Sequence, residues 1–286
     1  MQKQKIKCLL TGATSFSGAY IAEALIKNGL SVYMPLRLNK ENYQGIKAQR
    51  LRLIEDASLS NSQSVTEFID NCDISSEELI EQVDKIQPHI FINHGGYIEN
   101  YRSPDFDFLK HLETNLRHIQ LLIRQLKDND CKLFIHSGSA FEPGGEYSKF
   151  GISPYGVAKK MVWDMLVFWC QQIGLPCTKI VIPNPYGSLE NEDRLLPVFA
   201  SLIKSGQSIT LKGSADIRNN IRIEKLAEYY AEACLRDPNE SPDCFVEEIK
   251  PVGNIESQLD FVKRALQEKP YGIDLAKIEN SLVIVN

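Results

Sequence analysis

Short apolar runs alternate with longer helical patterns through roughly the first 180 residues, and this alternation constrains the fold more than any other feature. Residues 5–10, 31–36, 64–69, 90–93, 132–136 and 178–182 predict strands. Residues 18–28, 39–55, 75–86, 106–127 and 154–174 predict helices. Strands separated by helices of this length pair in parallel, with the helices covering both sheet faces. Residues 1–182 therefore predict an α/β, doubly wound parallel sheet. The pattern loosens afterwards. Residues 195–205, 224–236 and 257–268 look helical, and Pro and Gly cluster over 183–187. Residues 183–286 read as a smaller C-terminal lobe completing a substrate cleft, some segments of which return to the sheet.

Several function classes are excluded by composition. The 32 Lys+Arg against 37 Asp+Glu give a net charge of −5, so no nucleic-acid partner is expected. No apolar run reaches the roughly 18–20 residues of a membrane span. The first residues, MQKQKIKCLLTG, carry no signal-peptide core. Seven cysteines without a CxxC spacing suit a reducing, cytoplasmic protein with no metal site.

The first strand runs into Thr11-Gly12-Ala13-Thr14-Ser15-Phe16-Ser17-Gly18 and then a helix. Backbone N–H groups at a helix N-terminus attract a pyrophosphate, and glycines let it approach closely. Further along, Tyr155-Gly156-Val157-Ala158-Lys159 puts Tyr155 and Lys159 on one helix face. Ser139 precedes them at the end of the fifth strand, in Phe134-Ile135-His136-Ser137-Gly138-Ser139-Ala140.

A TGxxxxxG turn, a serine after strand five and a YxxxK helix together resemble the short-chain dehydrogenase/reductase superfamily. The resemblance is closest to its extended branch, the NAD-dependent epimerase/dehydratase group acting on nucleotide sugars. It covers most of the chain and weakens beyond about residue 240. It implies a Rossmann sheet whose turn (Gly12, Thr14, Ser15, Phe16, Gly18) holds the dinucleotide. Asp73 and Ile74 would lie near the adenine. His94 and Gly95, in Asn93-His94-Gly95-Gly96, would lie beside the nicotinamide ribose, with Asn115 behind them. Pro183 would border the cofactor. Asn184, in Asn184-Pro185-Tyr186-Gly187, would meet the sugar nucleotide, and Arg218 its diphosphate.

The resemblance also implies a catalytic set. Tyr155 would be the acid/base, Lys159 its electrostatic tuner and ribose anchor, and Ser139 the donor to the substrate oxygen, with Ser137 as its rival. An ammonium about 4 Å from the phenol, at an effective dielectric near 20, contributes on the order of 4 kcal/mol, equivalent to up to roughly three pKa units. The sequence departs from the family at several places. Ser15 stands where the middle glycine of the turn is usual, and its Oγ is expected to suit a phosphate. The gap between Ser139 and Tyr155 is short, which predicts a small lid over 141–153. Ala140 and Phe141 replace the acidic pair that dehydratases carry after the serine, with Glu142 beyond them, which argues against dehydration.

At the end of strand two, Leu36 occupies the acidic position of NAD-specific members, and Arg37 follows. A guanidinium suits a 2′-phosphate, so NADP(H) is favoured over NAD(H). Residues 154–174 are apolar around most of the helix, Trp169 included. That predicts a homodimer through helices 106–127 and 154–174. The sequence thus predicts an NADPH-dependent reductase of a nucleotide-activated keto sugar, a 4-keto-6-deoxyhexose favoured, serving surface polysaccharide synthesis. The alternatives are a nucleotide-sugar 4-epimerase with bound NAD and a non-catalytic dinucleotide sensor.

Overall fold

The computed structural model describes residues 5–61, 64–144, 149–236 and 245–285. Its first strand, β1 (Lys7–Leu10), ends at Thr11-Gly12, and α1 (Phe16–Lys27) starts where the Ser15 hydroxyl accepts the Gly18 N–H. Gly29, at φ 84°, turns the chain into β2 (Ser31–Pro35). A short 3₁₀ turn (Lys40–Asn42) precedes α2 (Gly45–Ser60), so the helix expected over 39–55 starts and ends later. β3 (Thr66–Ile69), α3 (Glu77–Ile86) and β4 (Ile90–Asn93) follow. Glu77 and Glu78 place negative charge in the first turn of α3, where the helix dipole favours it.

The long helix expected over 106–127 is two helices, α4 (Phe108–Leu116) and α5 (Ile119–Asp128), broken at Arg117-His118. The two segments bury different material. α4 buries the polar His111 and Asn115, whereas α5 buries Ile119, Leu122, Ile123 and Leu126. The break gives each segment its own inward face. β5 (Leu133–Ser139) runs three residues further than expected and ends on Ser139. Next, α6 (Pro154–Ile173) is capped by Ser153, whose hydroxyl accepts the Gly156 N–H. Pro154 begins its first turn, and Gly174 closes it in the left-handed conformation. β6 (Cys177–Ile182) completes this part of the chain.

The remaining elements are β7 (Asn184–Tyr186), α7 (Leu195–Lys204), β8 (Ile209–Lys212), β9 (Ile217–Arg222), α8 (Ile223–Leu235), β10 (Val246–Ile249), β11 (Asn254–Ser257), α9 (Gln258–Gln267), α10 (Leu275–Ser281) and β12 (Leu282–Val285). The central sheet has seven strands in the order β10-β6-β5-β4-β1-β2-β3, all parallel. It is a doubly wound Rossmann sheet.

The chain forms two compact units: residues 1–182 with 227–251, and residues 183–226 with 252–286. In the first, Phe91, Phe134, Val83, Ile123, Leu126, Val162, Trp163 and Leu166 belong to one buried cluster. The second holds the antiparallel pair β11–β9, the parallel pairs β7–β9 and β12–β8, and a core of Leu196, Phe199, Ile209, Phe261, Leu266 and Ile278.

One face of α6 meets the sheet through Ala158, Val162, Trp163, Leu166 and Cys170. Val157, Met161, Met165 and Phe168 are exposed instead. Trp169, expected to point outward, is partly buried against the core, because it stands three residues after Leu166 and four before Ile173, both of the same cluster.

Candidate active site

The glycine turn is built by contact without side chains. An ideal Cβ on Gly12, at φ 77°, would fall 2.8 Å from the Cα of Gly95, and one on Gly18 would fall 2.1 Å from the Gly12 carbonyl oxygen. The Thr11 hydroxyl accepts the N–H groups of His94 and Gly95, both at 2.9 Å, which fixes the loop after β4 to the turn after β1. Ile74 lies against Gly95. Ser15 was expected to offer its hydroxyl to a phosphate, but here that hydroxyl caps α1 and lies 3.2 Å from His94 Nε2. Arg50, a position the sequence did not single out, is buried. It donates to the Thr14 carbonyl at 3.3 Å and lies over the Phe16 ring.

His94 ties this turn to β5. Its Nε2 is 2.9 Å from the Ser17 hydroxyl, and its Nδ1 is 2.7 Å from the Ser137 hydroxyl. Burial pushes the ring down to about 3, with the Lys159 ammonium adding to the effect, so it stays neutral. The Ser137 hydroxyl also sits 2.7 Å from the Tyr230 hydroxyl and is buried. Ser137 is thereby held within an internal network. Ser139 is less buried, and among the described residues its Oγ accepts the Phe141 N–H at 3.2 Å.

Lys159 is buried, and its Nζ donates to the Ser137 carbonyl. Burial lowers its pKa to about 8, while Glu142 opposes that shift. The Tyr155 ring is ringed edge-on by Tyr101, Phe106 and His111, with centroids 5.5, 5.5 and 5.6 Å away. Burial pushes the phenol well above its ordinary value, with Tyr101 and Glu142 adding to the rise. This corrects the expectation that Lys159 depresses Tyr155. In the protein alone desolvation prevails, and the lysine is engaged with a backbone carbonyl.

Asn115 donates to the His111 carbonyl, while its Oδ1 is buried beside Gly96 with no partner among the described residues. His111 Nδ1 lies 2.8 Å from the Tyr97 carbonyl, and its buried Nε2 likewise has no partner among the described residues. Such orphaned acceptors call for a donor from bound ligand or water. Together with the side-chain-free turn at Gly12 just before the N-terminus of α1, they fit a dinucleotide lying across the carboxyl ends of β1, β4 and β5.

Arg37 and Asp73, expected at separate parts of the cofactor, are paired, with Nε 3.2 Å from Oδ2. Asp73 Oδ1 also accepts the N–H and hydroxyl of Ser75, at 2.8 and 2.6 Å. Leu36 is buried and has no polar group to offer. In the second unit, Pro183 is buried. Asn184 donates to Asn220 Oδ1 at 2.6 Å, and Arg218 pairs with Asp216 at 3.0 Å. The middle of the expected lid, residues 145–148, lies outside the described residues.

Sequence reasoning missed Tyr230, His111, Arg50 and the buried Glu142–Lys179 pair. A signal existed for Lys179, a charge interrupting the apolar run Cys177–Ile182. His111 stands four residues before Asn115, on the same helix face.

No curated protein sequence matches the chain significantly. Solved structures do. UDP-glucuronic acid 4-epimerase from Bacillus cereus, in complex with UDP-glucuronic acid and NAD, superposes with a TM-score of 0.74 at 20% identity. The match covers 98% of this chain and 86% of that one. dTDP-glucose 4,6-dehydratase from Bacillus anthracis, in complex with NAD, gives 0.72 at 14% identity, covering 98% and 84%. UDP-glucose 4-epimerase from Thermotoga maritima, with UDP-glucose, gives 0.69 at 19% identity, covering 94% and 84%. The model of the NAD-dependent epimerase/dehydratase family matches residues 8–239, and the chain belongs to that family, within the extended short-chain dehydrogenases/reductases.

Proposed function

We propose that this chain reduces a nucleotide-activated keto sugar, with a 4-keto-6-deoxyhexose as the favoured substrate and NADPH as the favoured reductant. The observation that carries the reading is the placement of Ser139 at the end of β5 and of Tyr155 and Lys159 at the start of α6, with Tyr155 walled by Tyr101, Phe106 and His111. Desolvation raises the phenol of Tyr155, so the resting side chain holds the proton that a reduced ketone would take up. The nicotinamide supplies the hydride when bound. Tyr155 gives its proton to the oxygen that was the ketone. Ser139 donates a hydrogen bond to that oxygen as charge develops on it. Lys159, with Asn115 behind it, holds the ribose. The turn Gly12–Gly18, with Thr14, Ser15 and Phe16, cradles the pyrophosphate, and His94, Gly95 and Pro183 border the nicotinamide end. Asp73 and Ile74 face the adenine, and Arg37 takes the 2′-phosphate. Asn184 and Arg218 bind the nucleotide sugar.

Dehydration fits poorly. Ala140 and Phe141 carry no carboxylate, and Glu142 is buried against Lys179. The protein acts as a homodimer through the exposed face of α6 and the neighbouring α4–α5 segment. That face offers Val157, Met161, Met165 and Phe168.

The second reading is a 4-epimerase that retains NAD. One observation favours it: Asp73 neutralises part of the Arg37 charge on which the NADP preference rests. One experiment separates the two. Purified protein is mixed with a panel of nucleotide-linked 4-keto and 4-hydroxy sugars, with nicotinamide absorbance and product mass followed together. Reduction consumes one NADPH per product. Product formed from a 4-hydroxy sugar without net cofactor consumption overturns reduction in favour of epimerisation. In Tyr155→Phe the rate is expected to fall about 10²–10⁴-fold, with cofactor binding retained.

A further inference from the structure

Glu142 and Lys179 form an ion pair at 3.0 Å with both side chains only 5% exposed. Burying two charges costs more than an apolar pair of similar size, so the pair does not explain itself as a stabiliser. On the glutamate side, the pair leads to Ser139. Glu142 Oε1 accepts the Ser139 N–H at 2.7 Å, and the Glu142 N–H donates to the Ser139 carbonyl at 3.0 Å. One residue therefore holds both backbone polar groups of Ser139. Lys179 grips the other carboxylate oxygen, reaches Glu248 at 2.7 Å and lies over the Trp163 ring. Two glycines make room for this. A Cβ on Gly138 would fall 2.8 Å from Lys179 Cδ and 2.9 Å from Glu142 Oε1, and one on Gly156 would fall 1.9 Å from the Phe141 carbonyl oxygen.

We propose that the buried Glu142–Lys179 pair is a positioning clamp that fixes the backbone of Ser139, and with it the direction of the serine hydroxyl toward the reacting oxygen. Glu142 does not itself touch substrate. It acts through Ser139, and the proposal rests on the reading of Ser139 as the oxygen's donor. Lys179 fixes the rotamer of Glu142, because an unpaired carboxylate there would turn toward water.

Two double variants separate the clamp from a merely structural role. E142V/K179L removes both charges and the oxygen at the Ser139 N–H. E142Q/K179M removes the charges but keeps that oxygen. With a keto-sugar substrate, E142V/K179L is expected to lower kcat about tenfold or more, as misplaced catalytic groups do. KM and NADPH affinity should stay within about twofold. E142Q/K179M should retain most of the lost kcat. Hydrogen exchange at the Ser139 amide, read by NMR, should quicken in E142V/K179L and stay protected in E142Q/K179M. Equal kcat and equal protection in both variants would overturn the clamp. If E142V/K179L does not fold, E142L against E142Q in the K179M background reads the same contact. If wild-type protein reduces no keto sugar, the functional reading fails, while the amide exchange still decides the clamp.

Discussion

Replacing Gly156 by alanine tests the local geometry most sharply, because two physical effects predict opposite signs. Gly156 lies in the first turn of α6, where alanine is better by up to about 1 kcal/mol on helix propensity alone. Yet an ideal Cβ there falls 1.9 Å from the Phe141 carbonyl oxygen and 3.2 Å from the Glu142 nitrogen. Ordinary contact begins near 3.4 Å, so the segment must retreat by about 1.5 Å. Overpacking of this kind costs about 1–3 kcal/mol. The clash therefore prevails, with a net loss on the order of 1–2 kcal/mol and a fall of several degrees in Tm. The retreat also moves Ser139, which is bonded to Glu142 at both ends. A displacement near 1 Å at a reacting centre costs about 10²-fold in rate. Thermal unfolding of the dinucleotide-bound protein and single-turnover reduction give the two readouts. Val157→Ala, at an exposed neighbouring position, is the control. A Gly156→Ala protein as stable and as fast as wild type would refute the reasoning.

The buried histidines make stability fall in acid. The folded-state value of His111 is about 4 and that of His136 lies well below the usual 6.5, both through burial, so their contribution is complete above 6.5 and is lost as pH falls below it. Urea unfolding between pH 7 and 5.5 should lose about 1 kcal/mol per unit for each of them, and a flat profile would contradict this. Phe168→Glu, on the exposed face of α6, should turn a sedimenting dimer into monomer, whereas Trp169→Glu should destabilise the fold instead; a wild-type monomer at micromolar concentration removes the dimer. Arg37→Ala should weaken NADPH about tenfold and leave NADH unchanged, read by fluorescence titration, since a charge-assisted contact to a phosphate is lost. Asp73→Asn should raise the ratio of NADPH to NADH affinity, by releasing the guanidinium from its 3.2 Å pairing while any loss at the adenine falls on both cofactors, and no change in either variant would remove Arg37 from the cofactor site.

What the sequence made legible was local. The turn at Gly12, the helix pair Tyr155 and Lys159, and the alternation that builds the sheet each depend on spacings of a few residues. The contacts that escaped it are long-range: Ser137 meets Tyr230 across 93 positions, and Lys179 meets Glu142 across 37. The break between α4 and α5 escaped for another reason. Neither glycine nor proline marks Arg117-His118, and the interruption follows from the two segments burying unlike faces. The rivalry between Ser137 and Ser139 could not be decided from a motif in which both are small and hydroxylated. It is addressed by what surrounds them. One hydroxyl is shared between His94 and Tyr230, and the other, among the described residues, meets the Phe141 N–H alone at 3.2 Å.

The same difference bears on the direction of proton transfer. Spacing alone puts an ammonium near a phenol and suggests that the charge lowers the phenol's pKa. Burial acts on both groups in the opposite sense. It favours the neutral form of each, raising Tyr155 and lowering Lys159 to about 8. Three neutral histidines, His94, His111 and His136, surround Lys159 and add no positive charge to stabilise a phenolate. Glu142 adds negative charge, which raises the phenol further. A site of this kind keeps its proton until an oxygen that is gaining charge takes it. Donation to a ketone as it is reduced meets that condition directly. Abstraction from a carbinol would call on the positive charge of Lys159, which a pKa of about 8 leaves largely in place at neutral pH, together with that of an oxidised nicotinamide. Under the proposed reduction, the resting Tyr155 therefore already holds the proton that the reduced oxygen takes up, and Lys159 supplies the charge that the resulting phenolate meets.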